Sequence, residues 1–337
     1  MSLSPRALRI IEEGHRFGAF YRGELANHLP MAIAALDAMG ADEATLSRFA
    51  ARYGRTLEPI PPGIPAIGEA PGAWLGHREA FPAWVTYFEE QLATDANCVS
   101  AWIGRLMPGV ASGAFHGLIR VAYAAPSGSR RELAHALACW ASAWEALPGS
   151  PRPADGRETP AGILSSLARH EAYGGRRREG GLIAARTQAA ANEAGFDAIA
   201  ARVSPEELTL EALARLMLAC YSASGNFTIL HGVTACHALR TLMPMAGDGR
   251  AALLHFWRAL CAAFIGAGSP PVAGEAFAPE TKLGWDAIRA RAVQCEDEHD
   301  VKLAYSCWCE WQSRGDDLYR RVAASRVSRA VAFPGVA

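Results

Sequence analysis

Apolar residues recur at intervals of three and four along most of the chain, which is the spacing of one face of an α-helix. The pattern predicts a helix from Pro5 to Leu29 and another from Thr45 to Tyr53, with Gly54 placed to end it. Runs in which apolar and polar residues alternate are scarce, so little sheet is expected. The sequence therefore predicts an all-α fold, a bundle of roughly ten or more helices.

Segments rich in proline and glycine separate the helical runs, most clearly from Glu58 to Gly72. We interpret these segments as loops within one domain rather than as domain boundaries, and no repeat period is evident. Residues 1–325 are predicted to form a single helical domain, and residues 326–337 a flexible C-terminal tail. Neither the glycine-rich dinucleotide motif nor the P-loop motif occurs, which argues against a Rossmann or P-loop nucleotide site.

Composition and charge exclude several classes of partner. The 337 residues are 50% hydrophobic and 20% charged, which is ordinary for a globular protein, and the net charge of −1 offers no field to attract nucleic acid or anionic lipid. The most apolar window, Ala251 to Gly268, contains His255 and Arg258 and falls short of a membrane span. Eight cysteines without paired spacing, together with a charged N-terminal segment, favour a cytoplasmic protein with reduced thiols.

The stretch from Glu296 to Leu303, EDEHDVKL, places an imidazole and an amine on one face of a predicted helix. His299 and Lys302 are three residues apart, so both groups can reach the same point in space. One interpretation is an acidic first helical turn with a surface ion pair between Glu298 and Lys302. The other is an inward-facing pair that belongs to a site, and the remaining histidines bear on this choice.

Five of the ten histidines lie in apolar, helical surroundings: His28, His116, His231, His237 and His299. A single buried histidine is most often a hydrogen-bonded core residue, because buried polar groups need partners. A shared metal ion would satisfy several of them at once, and neutral imidazoles suit Fe(II), zinc and copper. His231 and His237 are six residues apart, about 120° around a helix, so only one of them should contact the ion. We expect this residue to be His231.

Glycines recur every four residues around His116, at Gly109, Gly113 and Gly117. A glycine in a helix interior costs up to about 1 kcal/mol relative to alanine, so three of them need a structural reason. Either another element approaches the backbone closely at these positions, or the glycines leave space for a flat ligand. The sequence leaves both explanations open.

Four phrases together resemble the questin oxidase-like family: NHLPM at 27–31, FHGLIRVAYA at 115–124, LHGVTACHALR at 230–240 and EHDVKL at 298–303. They follow the family order and run over most of the chain. The resemblance implies an α-helical oxygenase that oxidises a polycyclic aromatic substrate of anthraquinone type with dioxygen, or opens one of its rings. Fungal members are associated with Baeyer–Villiger-type chemistry, sometimes with NADPH.

The resemblance also implies a non-haem Fe(II) centre, or one with another divalent metal. Its ligands would be His28, His116, His231, His299 and a carboxylated Lys302. Four imidazoles alone would leave the charge of the ion uncompensated in apolar surroundings. Burial and a nearby cation favour the neutral lysine amine, which can add carbon dioxide and become an anionic oxygen ligand. Without carboxylation, Asp297 or Asp300 would have to supply the anion.

Three further residues are candidates for catalytic roles. Tyr21 lies seven residues before His28, on the same face of the predicted helix, and could bind substrate or dioxygen through a hydrogen bond. Thr234 shares a face with His231 and could orient a bound ligand. His237 is the third candidate, although fungal members do not require a histidine at this position.

Two other functions are compatible with these residues. The first is an NADPH-dependent Baeyer–Villiger-type oxidase without metal, whose histidines only shape a pocket; the missing dinucleotide motif counts against it. The second is a non-enzymatic helical binding module with a structural metal. Coordination by histidine alone is less typical of structural zinc, which prefers cysteine.

Overall fold

The computed structural model describes residues 3–63, 66–149, 151, 156–171, 173–174, 181–272 and 278–332, the last three without their side chains. Over the described residues the chain is 68% helical, with 16 α-helices and one two-stranded antiparallel sheet. The all-α prediction is confirmed. None of the described helices combines the length and the apolar character needed to cross a bilayer.

The elements follow one another along the chain in this order: α1 (Pro5–Glu13), β1 (Phe20–Tyr21), β2 (Leu25–Ala26), α2 (Leu29–Ala38), α3 (Glu43–Gly54), α4 (Phe81–Thr94), α5 (Cys98–Leu106), α6 (His116–Ala124), α7 (Arg130–Ser142), α8 (Pro160–Arg169), α9 (Ile183–Ala191), α10 (Phe196–Ala200), α11 (Leu210–Ser224), α12 (Phe227–Leu242), α13 (Gly249–Gly266), α14 (Trp285–Ala292), α15 (Glu298–Arg314) and α16 (Asp317–Ala332). Short 3₁₀ turns join several of them.

Contacts divide the chain into two compact units that are both discontinuous in sequence. The first unit comprises Met1–Cys98, His116–Ala143 and Ala278–Ala337, and the second comprises Val99–Phe115 and Trp144–Phe277. The single domain expected over residues 1–325 stays a prediction. The predicted tail begins too early, because residues 326–332 form the last turns of α16 and Val327 is fully buried. Residues 333–337 lie outside the described part of the chain.

Helix α2 lies at the centre of the first unit. Every residue from Leu29 to Leu36 is buried, as expected for a helix that is apolar on all sides. It packs against α1, α3, α6 and α15, while α15 also packs against α16, and α6 against α7. Helix α2 therefore lies next to both α6 and α15, and this arrangement positions the site.

The helix predicted from Pro5 to Leu29 is wrong. Helix α1 ends at Glu13, and the chain then forms the hairpin of β1 and β2, whose turn contains Arg22 and Gly23 at positive φ. Pro30 lies in the first turn of α2, where a missing N–H costs no hydrogen bond. The helix predicted from Thr45 to Tyr53 is confirmed as part of α3.

The second unit is built around α13, whose residues from Phe256 to Gly266 are all buried. Helix α13 packs against α9 and α12, and α12 packs against α11. Arg258 lies within this apolar run and forms an ion pair of 2.5 Å with Asp197 of α10. Arg258, whose charge makes a membrane span from Ala251 to Gly268 unfavourable, is thus buried and paired inside the second unit.

Candidate metal centre

His28 is the N-cap residue of α2 and is 5% exposed. The preceding Asn27 fixes this corner, because its side chain accepts the N–H of Leu29 at 3.0 Å and donates to the carbonyl of Gly18 at 3.0 Å. The backbone N–H of His28 donates to the hydroxyl of Tyr53 at 3.2 Å. The backbone at His28 is therefore held by the segment before β1, by the start of α2 and by α3.

His116 is the first residue of α6 and is 9% exposed. The three residues before it, Gly113, Ala114 and Phe115, have φ values of 53°, 58° and 66°. The left-handed region costs about 1–2 kcal/mol for each residue other than glycine, so the chain stores strain immediately before the histidine. This turn ends the preceding 3₁₀ segment and starts a new helix with its first side chain at the site.

The glycines around His116 do not form one helical stripe, because Gly109 lies in a 3₁₀ turn and Gly113 in the left-handed turn. A Cβ on Gly117 would lie 2.4 Å from Cγ of Trp140, and one on Gly109 would lie 2.6 Å from Cδ1 of Trp144. Gly109 and Gly117 are thus explained by the close approach of a tryptophan, and Gly113 by its positive φ.

His299 lies in the first turn of α15, whose N-cap is Asp297. Oδ1 of Asp297 accepts the backbone N–H of His299 at 2.7 Å and lies 3.0 Å from Nδ1 of the same residue. Burial raises the pKa of Asp297, but the hydrogen bonds and charge of His299 outweigh it and lower the pKa to about 2. Asp297 is therefore ionised and accepts hydrogen bonds from both groups.

The three histidines converge in the first unit, with one ring nitrogen of each within 4.8 Å of the others. Nε2 of His28 lies 2.6 Å from Nε2 of His116, and the ring of His299 lies edge-on to that of His28 at a centroid distance of 4.8 Å. Two facing ring nitrogens need a shared proton or a shared cation. Their separation approaches the roughly 3 Å between two nitrogen ligands bonded to one ion at about 2.0–2.1 Å.

The carboxylate of Glu298 lies next to the Nδ1 atoms of both His28 and His299. Oε1 of Glu298 is 3.1 Å from Nδ1 of His28 and 3.5 Å from Nδ1 of His299. Metal-binding histidines usually donate their second N–H to a carboxylate or a carbonyl, which turns the other nitrogen towards the metal. The donor set and its surroundings therefore fit a divalent metal ion.

Lys302 lies one turn after His299 on α15 and is only 1% exposed. The interpretation as a surface lysine is wrong, and the carboxylate of Glu298 instead contacts the two histidines. Burial lowers the pKa of Lys302 from 10.5 to about 8, against the opposing charges of Glu298 and Asp297. At pH 7.5 about a quarter of the amine would then be neutral, compared with about one part in a thousand for a lysine in water.

The carboxylate of Asp300 is already paired, which argues against it as the anion that compensates the charge of the metal. It forms an ion pair with Arg326 of α16, and burial raises its pKa. Arg326 also lies 3.9 Å from Asp297. These contacts connect α15 to α16 beside the histidines.

A buried ion pair supports α6 one turn after His116. Nε of Arg120 lies 2.9 Å from Glu132 of α7, and the other carboxylate oxygen lies 2.8 Å from Nε2 of His15. Burial raises the pKa of Glu132, but the charge of Arg120 and the hydrogen bonds from His15 and Arg120 together outweigh it and lower the pKa to about 2. Removing one partner of such a pair typically costs 3–5 kcal/mol, so this contact holds α6 against α7.

Tyr21 lies in β1 and not on a helix with His28, so the reason for choosing it is wrong. Its hydroxyl nevertheless interacts with that of Tyr53, the residue that accepts the backbone N–H of His28. Burial, followed by the charges of Glu298 and Tyr21, raises the pKa of Tyr53 above its usual value. The role of Tyr53 was missed, because nothing in its local sequence distinguishes it from an ordinary core tyrosine of α3.

The remaining candidates, His231, Thr234 and His237, lie on α12 in the second unit. His231 is fully buried, and its Nδ1 lies 2.8 Å from the carbonyl of Phe227, which leaves Nε2 as its possible ligand atom. The hydroxyl of Thr234 donates to the carbonyl of His231 at 3.1 Å. His237 is half-buried. The roles assigned to these three residues stay predictions.

The questin oxidase-like family model matches residues 25–307, most of the chain, including every motif named above. The chain belongs to the questin oxidase-like family. No individually curated protein matches it. Membership indicates an oxygenase-type oxidoreductase, and the matched range contains His28, His116, His299 and Lys302.

Proposed function

We propose that this questin oxidase-like protein is a non-haem iron-dependent oxygenase that acts with dioxygen on a polycyclic aromatic substrate of anthraquinone type. The observation that carries the proposal is the pair of Nε2 atoms of His28 and His116 facing each other at 2.6 Å. A shared cation resolves this contact, and His299 adds a third imidazole. Family membership supports the oxygenase chemistry.

His28, His116, His299 and Lys302 would hold the ion. The sequence adds His231 as a fourth imidazole, and this assignment rests on its motif alone. When bound, the iron would supply the one-electron chemistry by which dioxygen reacts with an electron-rich ring. Other divalent ions also suit these donors, so the proposal includes the choice of iron as the metal.

The side chains around the ligands have separate tasks. Asp297 lies within hydrogen-bond distance of Nδ1 of His299, and Glu298 within hydrogen-bond distance of Nδ1 of His28. Tyr53 fixes the backbone of His28. Burial of His28 and Lys302 keeps water away from the histidines. Tyr21 is less buried than Tyr53, and its hydroxyl is the group we assign to a phenolic oxygen of the substrate.

Lys302 would supply the compensating negative charge as a carbamate. Its neutral amine attacks carbon dioxide, a nitrogen–carbon bond forms, and one proton leaves the nitrogen to solvent. The lowered pKa of Lys302 supports this step, because it makes the neutral amine available near neutral pH. The chain contains only one other lysine, Lys282, which is exposed.

Labelled carbon dioxide tests the carbamate directly. Protein loaded with metal and equilibrated with ¹³C-bicarbonate should show one carbamate carbon signal that is lost in Lys302→Met and kept in Lys282→Met. Metal content should fall in the first variant only. Unchanged metal content in Lys302→Met, with no effect of bicarbonate on the parent, would remove the lysine from the centre.

Elemental analysis of protein purified without added metal tests the centre itself. We expect close to one equivalent of iron, and a rise in Tm when Fe(II) is added anaerobically to chelator-treated protein. Less than about a tenth of an equivalent of any transition metal, with no rise in Tm, would refute the proposal. Alanine at position 28, 116 or 299 should abolish binding, and His237→Ala should spare it. His231→Ala decides whether the fourth imidazole is a ligand.

The two other functions are outcomes of the same experiments. Oxidation of NADPH that depends on an aromatic substrate in metal-free protein would favour the metal-independent Baeyer–Villiger-type oxidase. One equivalent of zinc that raises Tm, without consumption of dioxygen in the presence of iron, would favour a binding module with a structural metal.

A further inference from the structure

Glu298 lies at the first position of α15, and its carboxylate reaches beyond its own helix. Oε1 is 3.1 Å from Nδ1 of His28, a residue 270 positions away in sequence. An acid in the first turn is explained by the helix dipole alone. That explanation requires a charge near the helix end but no contact with the ring of another element.

The contact defines where His28 carries its proton. A carboxylate oxygen in this position is an acceptor for a ring N–H, so the contact favours the tautomer of His28 that carries its proton on Nδ1. The lone pair of the neutral ring then lies on Nε2, the atom that faces Nε2 of His116 at 2.6 Å. With both rings neutral, the proton between the two Nε2 atoms of the metal-free protein then belongs to His116.

We propose that Glu298 is a positioning residue that holds His28 with its proton on Nδ1 and so directs the Nε2 lone pair at the metal. The role in metal binding rests on the proposed function. Asp297, 3.0 Å from Nδ1 of His299, serves that histidine, so the longer contact of Glu298 with His299 is secondary. Glu298 thus connects the helix that carries His299 and Lys302 to the start of α2.

The proton position can be read without any metal. In ¹⁵N-histidine-labelled, chelator-treated protein, long-range ¹H–¹⁵N correlations distinguish a protonated ring nitrogen from one with a lone pair. Loss of signals in His28→Gln and His116→Gln assigns the two rings. In the parent we expect His28 to be protonated at Nδ1 and His116 at Nε2.

Three substitutions at one position separate geometry from charge. Glu298→Gln keeps an acceptor oxygen at the same reach without charge, so the His28 proton should stay on Nδ1. Glu298→Asp keeps the charge and the acid of the first turn but is one methylene shorter, so the His28 proton should leave Nδ1, as in Glu298→Ala. The exposed Glu296, two residues earlier, provides the matched control, and Glu296→Gln should match the parent.

Metal affinity gives the second readout, measured anaerobically by chelator competition with Fe(II), and with Co(II) as a spectroscopic probe. Loss of a carboxylate behind a metal-binding histidine typically weakens metal binding about 10–100-fold. We expect this loss in Glu298→Ala and Glu298→Asp, and a much smaller one in Glu298→Gln. If the alanine variant does not fold, the aspartate and glutamine variants carry the same comparison.

The outcomes for Glu298 and for the metal centre are distinct. A parent without metal affinity overturns the proposed function, while the imidazole spectra still decide whether Glu298 controls the His28 proton. Metal affinity in the parent with unchanged spectra and affinity in Glu298→Ala overturns the positioning role alone. A glutamine variant as weak as alanine, beside a normal aspartate variant, would show that charge and not reach is what matters, and would also overturn it.

Discussion

Replacing Lys302 with methionine separates what this residue does for the fold from what it does for the site. Lys302 is 1% exposed, and burial lowers its pKa from 10.5 to about 8. That difference, at 1.36 kcal/mol per pKa unit, corresponds to about 3 kcal/mol of unfavourable free energy for keeping the charged form buried. Methionine has a similar length, carries no charge and needs no hydrogen bond, so it removes the cost without opening a cavity.

The free energy of unfolding of the metal-free parent should depend on pH with a definite sign. Between pH 8 and 10.5 the unfolded chain binds a proton at Lys302 that the folded chain has released, so the stability of the metal-free parent rises with pH in that window. Below pH 8 Lys302 is charged in the folded and in the unfolded chain, so the full cost of burying its charge lowers the stability of the parent. Lys302→Met should therefore be more stable than the parent at pH 7, by up to about 3 kcal/mol, and this advantage should vanish towards pH 10.5.

Urea unfolding of chelator-treated proteins, followed by circular dichroism from pH 7 to 10.5, measures the difference. Buried cysteines also change the stability in this range, because their thiols ionise in the unfolded chain while raised pKa values, about 11 for Cys98 and about 12 for Cys295, keep them protonated in the folded chain. This effect is common to both proteins and cancels in the comparison. Lys282→Met, at an exposed position, should change stability little at any pH. A Lys302→Met protein less stable than the parent at pH 7, or an advantage that does not vary with pH, would refute the reasoning.

Two smaller substitutions test the packing and the backbone of the centre. Gly117→Ala places a Cβ 2.4 Å from Cγ of Trp140 and should cost about 1–3 kcal/mol in urea unfolding. The exposed Gly104 of α5 has nothing within 4 Å of such a Cβ, so alanine there should stabilise by about 0.5–1 kcal/mol, and equal effects at both sites would contradict the packing argument. Tyr53→Phe leaves the buried N–H of His28 without its acceptor, so it should cost about 1–3 kcal/mol and weaken metal binding without abolishing it. Parent-like stability and affinity in this variant would exclude the proposed role of the hydroxyl.

Helical periodicity predicted α3 well because its apolar positions, its capping Asp42 and its final glycine all indicate the same element. The same method failed from Pro5 to Leu29, where apolar residues continue at suitable intervals through a hairpin. The hairpin depends on Arg22 and Gly23 at positive φ and on the pairing of Phe20 with Ala26, and the spacing of apolar residues indicates neither feature. Pro30, the residue after this stretch, belongs to the first turn of α2, a position to which proline is well suited.

The ligand candidates were recognisable as buried histidines in unusual surroundings, but the sequence could not predict how they meet. His28 is an N-cap residue, His116 follows three left-handed residues, and His299 lies in the first turn of α15. All three occur where a helix begins, so helical periodicity contains little information about the direction of their side chains. What brings them together is the fully buried α2, which packs against both α6 and α15.

The acidic start of α15 shows why the two interpretations of EDEHDVKL could not be separated from the sequence. Spacing of four residues makes Glu298 and Lys302 a plausible surface pair, and it holds equally when both groups face inward. The structure distinguishes the two by burial: Lys302 is enclosed, and the carboxylate of Glu298 lies against His28. A buried amine one turn after His299 would be a poor choice if its only task were to hold the fold, because its charge destabilises the folded state at neutral pH. Its presence is explained if the neutral amine, and not the ammonium, is the form that the site uses.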